Sequence, residues 1–320
     1  MKKIALIIPY YGKLNNYFEF WLKSAEFNPT IDFYFITDIN INLDTNKNIY
    51  IVNKTFKELK AMVQELFDFK IKLDNYYKLC DYKPIWGKIF ENEFLKDYDY
   101  WGYCDVDLIL GDIRNFITDN ILSNNDVILS HGHFMLYRNI PYINNLFTDM
   151  ISQEGFNYKQ TFTTNYVTHF DEHGGIYNII KKRNIKLYDE NIFADINAFK
   201  REFKINGRPE KENVFYKWHN GKLTEYSQNE KKTLDKTEVM YVHIQKRVME
   251  ISKRNDASED EMSIVPNTIF DYNISEQECL SYCYGSKEYE KQQINNLRKR
   301  QIKRILQGAF IVRFRRKFGI

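Results

Sequence analysis

Asp105 and Asp107, with Val106 between them, close the aromatic run Tyr100-Trp101-Gly102-Tyr103-Cys104. In an extended strand, residues two apart project from one face, so both carboxylates point one way and Val106 the other. Taking ionised carboxylates into an apolar region costs several kcal/mol or more unless a cation or hydrogen bonds compensate. A divalent ion compensates directly. Oxygen ligands suit Mg²⁺ or Mn²⁺, which keep waters and accept further oxygens from a phosphate. Such an ion neutralises the charge that collects on a departing diphosphate. Asp97 and Asp99 repeat the spacing, but they precede the apolar run and read as a solvated turn.

Other residues fit around that pair. His243, in Tyr-Val-His-Ile-Gln-Lys-Arg, is the expected third metal ligand, and the following Lys246 and Arg247 could neutralise phosphate. Lys78, Asp81 and Lys83 precede a helix expected to begin near Pro84, whose first amides favour anions. Asp81 reads either as a helix cap or as a contact to nucleotide or sugar hydroxyls. Lys83 reads as an offset to donor phosphate charge or as a surface lysine. Asp171 and Glu172, between His169 and His173 and followed by Gly174-Gly175, are candidates for a catalytic base or an acceptor-binding carboxylate, against the plainer reading of a charged helix start. Gly132 and His133 are a second acceptor-side choice. His131 and His133 also mimic a metal pair, with no further ligand in reach along the sequence. There is no Gly-x-Ser-x-Gly, no Gly-rich phosphate loop, and no zinc spacing among Cys80, Cys104, Cys279 and Cys283.

These residues need a scaffold, and the first hundred positions alternate strand and helix signals. Residues 3–11 are a continuous apolar run of the kind buried on both faces, residues 31–38 read as a second buried strand closing on Thr37 and Asp38, and residues 48–53 form a short third one. Between them Phe18, Trp21, Leu22 and Ala25 recur at helical spacing, stopped by Asn28-Pro29. Residues 55–69 read as an amphipathic helix capped by Thr55 with Glu58 three residues later. The pattern predicts an α/β fold with a mostly parallel sheet, in which ligands bind beyond the C-terminal strand ends. Those ends read Pro9-Tyr10-Tyr11-Gly12, Thr37-Asp38 and Asp105-Val106-Asp107. Two short strands are expected around His131-Gly132-His133, an irregular aromatic-rich region over 145–235, and one more strand before His243. Residues 1–250 then form the catalytic domain, 251–290 an acidic loop and helical extension, and 291–320 a basic amphipathic tail.

A hydrophobic content of 43% with 16% aromatic residues excludes wholesale disorder. The apolar run after Lys2-Lys3 stops at Pro9, short of the roughly 7–15 residues of a signal-peptide core, and no stretch approaches the roughly 20 of a membrane span. A cytoplasmic protein with reduced thiols is the expectation. Residues 291–320 hold ten Lys/Arg and no Asp or Glu, leaving 36 basic against 43 acidic residues, a formal −7, for residues 1–290. With Ile294, Leu297, Ile302, Ile305 and Phe310 interspersed, the tail reads as a helix that docks on an anionic membrane, at about 1 kcal/mol per basic residue. A subunit interface and nucleic-acid binding are the rival readings, and no nucleic acid is expected.

Taken in order, IIPYYG, FITD, YKLCDYKPIWGKIF, YDYWGYCDVDLILGDI, GHFMLYRN, FDEHGG and YVHIQKR resemble the bacterial glycosyltransferases of capsule and O-antigen gene clusters, which are similar to D-x-D sugar transferases with a GT-A fold. The resemblance covers roughly residues 1–250. It implies a GT-A-like (Rossmann-type) central sheet, a nucleoside-diphosphate-sugar donor, a divalent metal held by Asp105 and Asp107, and His243 as a ligand on the diphosphate side. It also implies a nucleoside pocket lined by Pro9, Tyr10, Tyr11 and Asp38, with Asp81 and Lys83 near the donor. The eukaryotic-type transferases carry an arginine and a Gly-Gly pair where this chain has Lys83 and Trp101-Gly102. Acceptors of such enzymes are generally lipid-linked, which fits a membrane-docking tail. The expectation is metal-dependent sugar transfer to a glycan hydroxyl. A metal-dependent nucleotidyl- or phosphotransferase and a catalytically idle, membrane-tethered adaptor are the alternatives.

Overall fold

Strand β1 (Ile4–Pro9) is apolar at successive positions because it feeds two cores at once. Ile4, Leu6 and Ile8 face one side of the sheet with Phe18 and Trp21, while Ala5 and Ile7 face the other with Leu59 and Val63. Each fully buried aliphatic of this kind contributes about 1.5–3 kcal/mol, and Leu6→Ala would cost about 2–5 kcal/mol through the cavity it leaves. The computed structural model describes residues 1–41, 48–150, 155–245, 247–254 and 260–283, together with 291, 292, 294–296, 298, 299 and 302.

Around β1, strands β2 (Ile31–Thr37), β3 (Ile49–Asn53) and β4 (Tyr100–Cys104) run parallel to it in the order β3-β2-β1-β4. After the short β5 (Leu108–Leu110), the hairpin of β6 (Val127–His131) and β7 (Phe134–Arg138) joins β4 antiparallel, and β8 (Leu187–Tyr188) adds parallel to β6. The result is a seven-stranded, mostly parallel sheet of the expected α/β class, with helix α1 (Phe18–Glu26) on one face and α2 (Phe56–Glu65) on the other. The Thr55–Glu58 capping box of α2 is present, the Glu58 carboxylate accepting the Thr55 amide at 2.7 Å.

The remaining strands are β9 (Ala194–Asp195), β10 (Glu212–His219), β11 (Lys222–Gln228), β12 (Leu234–Glu238), β13 (Tyr241–His243), β14 (Glu250–Ser252), β15 (Glu261–Val265) and β16 (Thr268–Phe270). Six of them make a second sheet, β12-β11-β10-β15-β16-β14. Two sequence expectations change here. The stretch taken as irregular contains the β10–β11 hairpin, closed by Asn220 and Gly221 with φ of 48° and 83°, the two positive-φ positions of a tight hairpin turn. The division at residue 250 also cuts this sheet, because β15 pairs with β10 and begins within the stretch read as an acidic loop.

A small third sheet, β5-β13-β9, links the two larger ones. Val242 and Ile109 pack into the core that contains Trp218 and Leu223 of the second sheet. No helix among the described residues is long and apolar enough to cross a membrane. Most of the basic tail, including the amphipathic pattern expected there, lies outside the described residues.

Candidate active site

The turn after β4 is fixed from three directions. The Asp105 amide donates to the His133 carbonyl at 2.9 Å, Asn15 Nδ2 to the Val106 carbonyl at 3.0 Å, and the Ile244 amide to the Asp107 carbonyl at 2.9 Å. Antiparallel pairing of β13 with β5 then sets His243 opposite Leu108. Asp105, Asp107 and His243 can each present a ligand atom within 4.8 Å of the other two, so the three residues picked from the sequence do converge. His243 Nε2 is 3.4 Å from Asp107 Oδ1, and its Nδ1 is 2.7 Å from Asp195 Oδ1. Asp195 also accepts from Gln245 Nε2 at 2.6 Å.

Burial alone would lower the pKa of His243, but the Asp107 and Asp195 carboxylates outweigh it and push it up to about 10. Asp195 responds in the opposite sense: against burial, its hydrogen bond and charge contact with His243 hold the carboxyl well below its usual range. A carboxylate that fixes one imidazole nitrogen and leaves the other facing a pair of acids is the usual outer shell of a metal-ligating histidine. Two carboxylates and an imidazole suit Mn²⁺ or Mg²⁺. Asp195 went unnoticed in the sequence because it is a lone acid in an irregular stretch; only the parallel β13–β9 register aligns it with His243.

Next to this cluster sits Lys83. Its Nζ donates to Asp105 Oδ1 and to the Gly132 carbonyl, both at 2.6 Å, and lies 3.4 Å from Asp171 Oδ2. Burial works against its charge, yet Asp105 and Asp171 raise its pKa above the ordinary lysine value, so it stays cationic. Asp171 is 2% exposed; burial pushes its carboxyl well above the ordinary range, and the Lys83 charge opposes that. Its Oδ1 is buried with no hydrogen-bond partner among the described residues. Gly132 makes room for this arrangement. A Cβ there would stand 2.6 Å from Asp171 Oδ2 and 2.7 Å from Glu172 Cγ. Beside it, His133 is buried, with Nδ1 2.9 Å from the Tyr241 hydroxyl; burial and the neighbouring His243 hold its pKa well below the ordinary value.

Several expected donor contacts turn out to be internal. Lys78 and Asp81 are both fully buried. Lys78 Nζ donates to Asp81 at 2.7 Å and to the carbonyls of Thr161 and Tyr166 at 2.9 and 2.7 Å. Asp81 also accepts the amides of Thr168 and Phe170, each at 2.9 Å. The pair therefore braces the segment leading into Asp171 and does not face a ligand. The helix expected to begin near Pro84 starts at Trp86 and is short, so Asp81 does not cap it. Residues Tyr76–Ile85 form a 3-10 stretch capped by Asn75, followed by a short turn of helix, Trp86–Ile89. Arg247 is likewise buried, donating to the carbonyls of Asn197, Lys200, Arg201 and Glu202 and to Asn267 Oδ1, so its charge is spent on a loop. Lys246 lies outside the described residues.

At the expected nucleoside end, Tyr10 stacks on Phe35 and donates its hydroxyl to the Lys13 carbonyl at 2.8 Å. Tyr11 donates to the Lys54 carbonyl at 2.9 Å and packs against Phe56 and Tyr76. Gly12, just past Pro9 and these tyrosines, has φ +95°, a conformation other side chains rarely adopt, and a Cβ there would lie 3.1 Å from the Tyr76 ring. Thr37 is buried, its hydroxyl accepting the Ile39 amide, and Asp38 is exposed. Tyr76 and Tyr77, about half exposed at this edge, were not singled out from the sequence.

Residues 6–273 match the model of a family described as "Family of unknown function (DUF6625)". The chain belongs to that family. The DUF6625 match spans all three sheets and ends just after β16, so the cluster, Lys83, Asp171 and Glu172 fall inside it. No curated protein matches the chain. Among solved structures, the galactosyltransferase LgtC in complex with donor and acceptor sugar analogs is similar at a TM-score of 0.34 and 14% identity, over 61% of this chain and 75% of LgtC. An active-site mutant of LgtC gives the same TM-score and identity, over 61% and 74%.

Proposed function

We propose that this chain is a metal-dependent glycosyltransferase that moves a sugar from a nucleoside diphosphate to a hydroxyl of a surface glycan. The observation that carries the reading is the convergence of Asp105, Asp107 and His243 at the end of the parallel strands, with His243 oriented by Asp195. Asp105, Asp107 and His243 Nε2 would hold Mn²⁺ or Mg²⁺. The ion's contribution is to neutralise charge on the diphosphate.

The other residues divide the remaining work. Lys83, a fixed cation beside Asp105, adds positive charge where the donor's reacting end would lie. Asp171, buried with Oδ2 3.4 Å from Lys83 Nζ, is assigned to hold that lysine in place beside Asp105. Glu172, half-buried next to it, is the carboxylate we assign to take the acceptor hydroxyl's proton. Tyr76, exposed and packed on the buried Tyr11, offers aromatic surface for a base, with Tyr10 and Asp38 at the same strand ends. A lipid-linked acceptor and attachment to the inner face of the membrane through the basic residues of 291–320 complete the proposal.

The test is a donor screen with Mn²⁺ and glycan acceptors. Release of nucleoside diphosphate with sugar on the acceptor supports transfer, and Asp107→Asn should abolish it. Transfer of the nucleotidyl group points to the phosphotransferase reading, and no turnover of any donor points to the adaptor. For the tail, equal pelleting with anionic liposomes of chains with and without residues 291–320 would remove the membrane proposal.

A further inference from the structure

His243 belongs to two clusters at once. Besides the acids of the D-x-D turn, it forms a second group with His133 and Asp195, in which one ligand atom of each residue lies within 4.8 Å of the others. The two groups differ in chemistry. The first offers two carboxylates and one imidazole, a set suited to Mn²⁺ or Mg²⁺; the second offers two imidazoles and one carboxylate, a set that favours Zn²⁺, Cu²⁺ or Ni²⁺. We propose that His133, Asp195 and His243 form a second cation site selective for zinc-class ions, and that filling it withdraws His243 from the first.

The surroundings match what such a site needs. The His133 and His243 rings lie 4.5 Å apart between centroids. His133 Nδ1 is held by the Tyr241 hydroxyl, while Nε2 has no hydrogen bond among the described residues and is the atom left to ligate. Outer-shell support is also in place, because Gln245 Nε2 donates to Asp195. Phe193 and Tyr241 pack against His133 at centroid distances of 5.1 and 5.5 Å and form an apolar wall. Tetrahedral Zn²⁺ with ligands at about 2.0–2.2 Å separates its ligand atoms by about 3.4 Å, against the present 2.7 Å between His243 Nδ1 and Asp195 Oδ1. The ion replaces the proton on His243 Nδ1, which is released to solvent. With that bond gone, Asp195 no longer orients His243 toward Asp107, so the first site weakens.

The inference shares His243 with the proposed donor-metal site but does not require sugar transfer. The experiment titrates full-length protein with Co²⁺, a spectroscopic substitute for Zn²⁺, and separately with Mn²⁺ followed by paramagnetic resonance. One tight Co²⁺ with the visible absorption of a four-coordinate site is expected. It should survive Asp107→Asn and be lost in His133→Gln, whereas Mn²⁺ binding should be lost in Asp107→Asn and kept in His133→Gln. Prior Co²⁺ loading should weaken Mn²⁺ binding by at least the roughly 10–100-fold that loss of an outer-shell partner costs, because His243 itself is withdrawn. Co²⁺ binding that follows Asp107 and ignores His133, or that leaves Mn²⁺ affinity unchanged, overturns the inference while leaving the glycosyltransferase reading intact. Should His133→Gln fail to fold, Cu²⁺ bound to the unmodified chain decides it by pulsed resonance: two coordinated imidazoles support the site, and one overturns it.

Discussion

His243 and Asp195 meet across the parallel β13–β9 pairing, Nδ1 to Oδ1 at 2.7 Å, and this contact turns the other imidazole nitrogen toward Asp107. If the contact serves to orient a metal ligand, Asp195→Asn should weaken Mn²⁺ binding about 10–100-fold with little change in fold. Isothermal titration calorimetry on the two proteins measures this. Equal affinities would make Asp195 a structural acid only.

Gly132 stands where any side chain would collide with Asp171 and Glu172. Gly132→Ala should therefore displace one of the two carboxylates while leaving both sheets intact. Misplacing a reacting group by about 1 Å can cost about 100-fold in rate. The expected outcome is a fall of that order in kcat/KM with a melting temperature close to wild type, measured in parallel assays.

The Lys78–Asp81 pair is fully buried and satisfied within the protein. Removing one partner leaves an uncompensated charge, so Lys78→Met should cost about 3–5 kcal/mol in urea denaturation. The double variant Lys78→Met/Asp81→Leu should recover part of that loss. An unchanged unfolding midpoint in the single variant would mean that water reaches the pair.

Burial raises the pKa of Asp171 against the opposing charge of Lys83. A carboxyl raised in the folded state contributes stability that is complete below its unfolded value of about 4 and is lost as pH rises through the folded value. Asp171→Asn cannot ionise and escapes that loss. Its stability relative to wild type should accordingly increase between pH 4 and pH 8 in denaturant titrations, while transferase activity falls. A difference independent of pH would show that Asp171 titrates normally.

Much of this was legible in the chain. The apolar runs of β1, β2 and β4, the Thr55–Glu58 cap, and the position of Asp105 and Asp107 at a strand end all follow from local patterns, and local patterns are what sequence periodicity reports. The β10–β11 hairpin was also readable. Asn220-Gly221 between alternating strands is a strong turn signal, masked here by the aromatic density around it. Asp195 was not readable, since its role comes from pairing with a strand almost fifty residues away. Lys78, Asp81 and Arg247 misled for a related reason. A charged residue that will be buried and internally bonded looks the same in sequence as one that meets a phosphate, and only packing separates the two.

The most direct test of the account is diffraction from crystals soaked with Mn²⁺ and a nucleoside diphosphate, collected at a wavelength where manganese scatters anomalously. An anomalous peak is predicted within about 2.0–2.3 Å of oxygens from Asp105 and Asp107 and of His243 Nε2, with diphosphate oxygens completing the shell. A nucleotide bound without such a peak, or manganese held elsewhere, would contradict it.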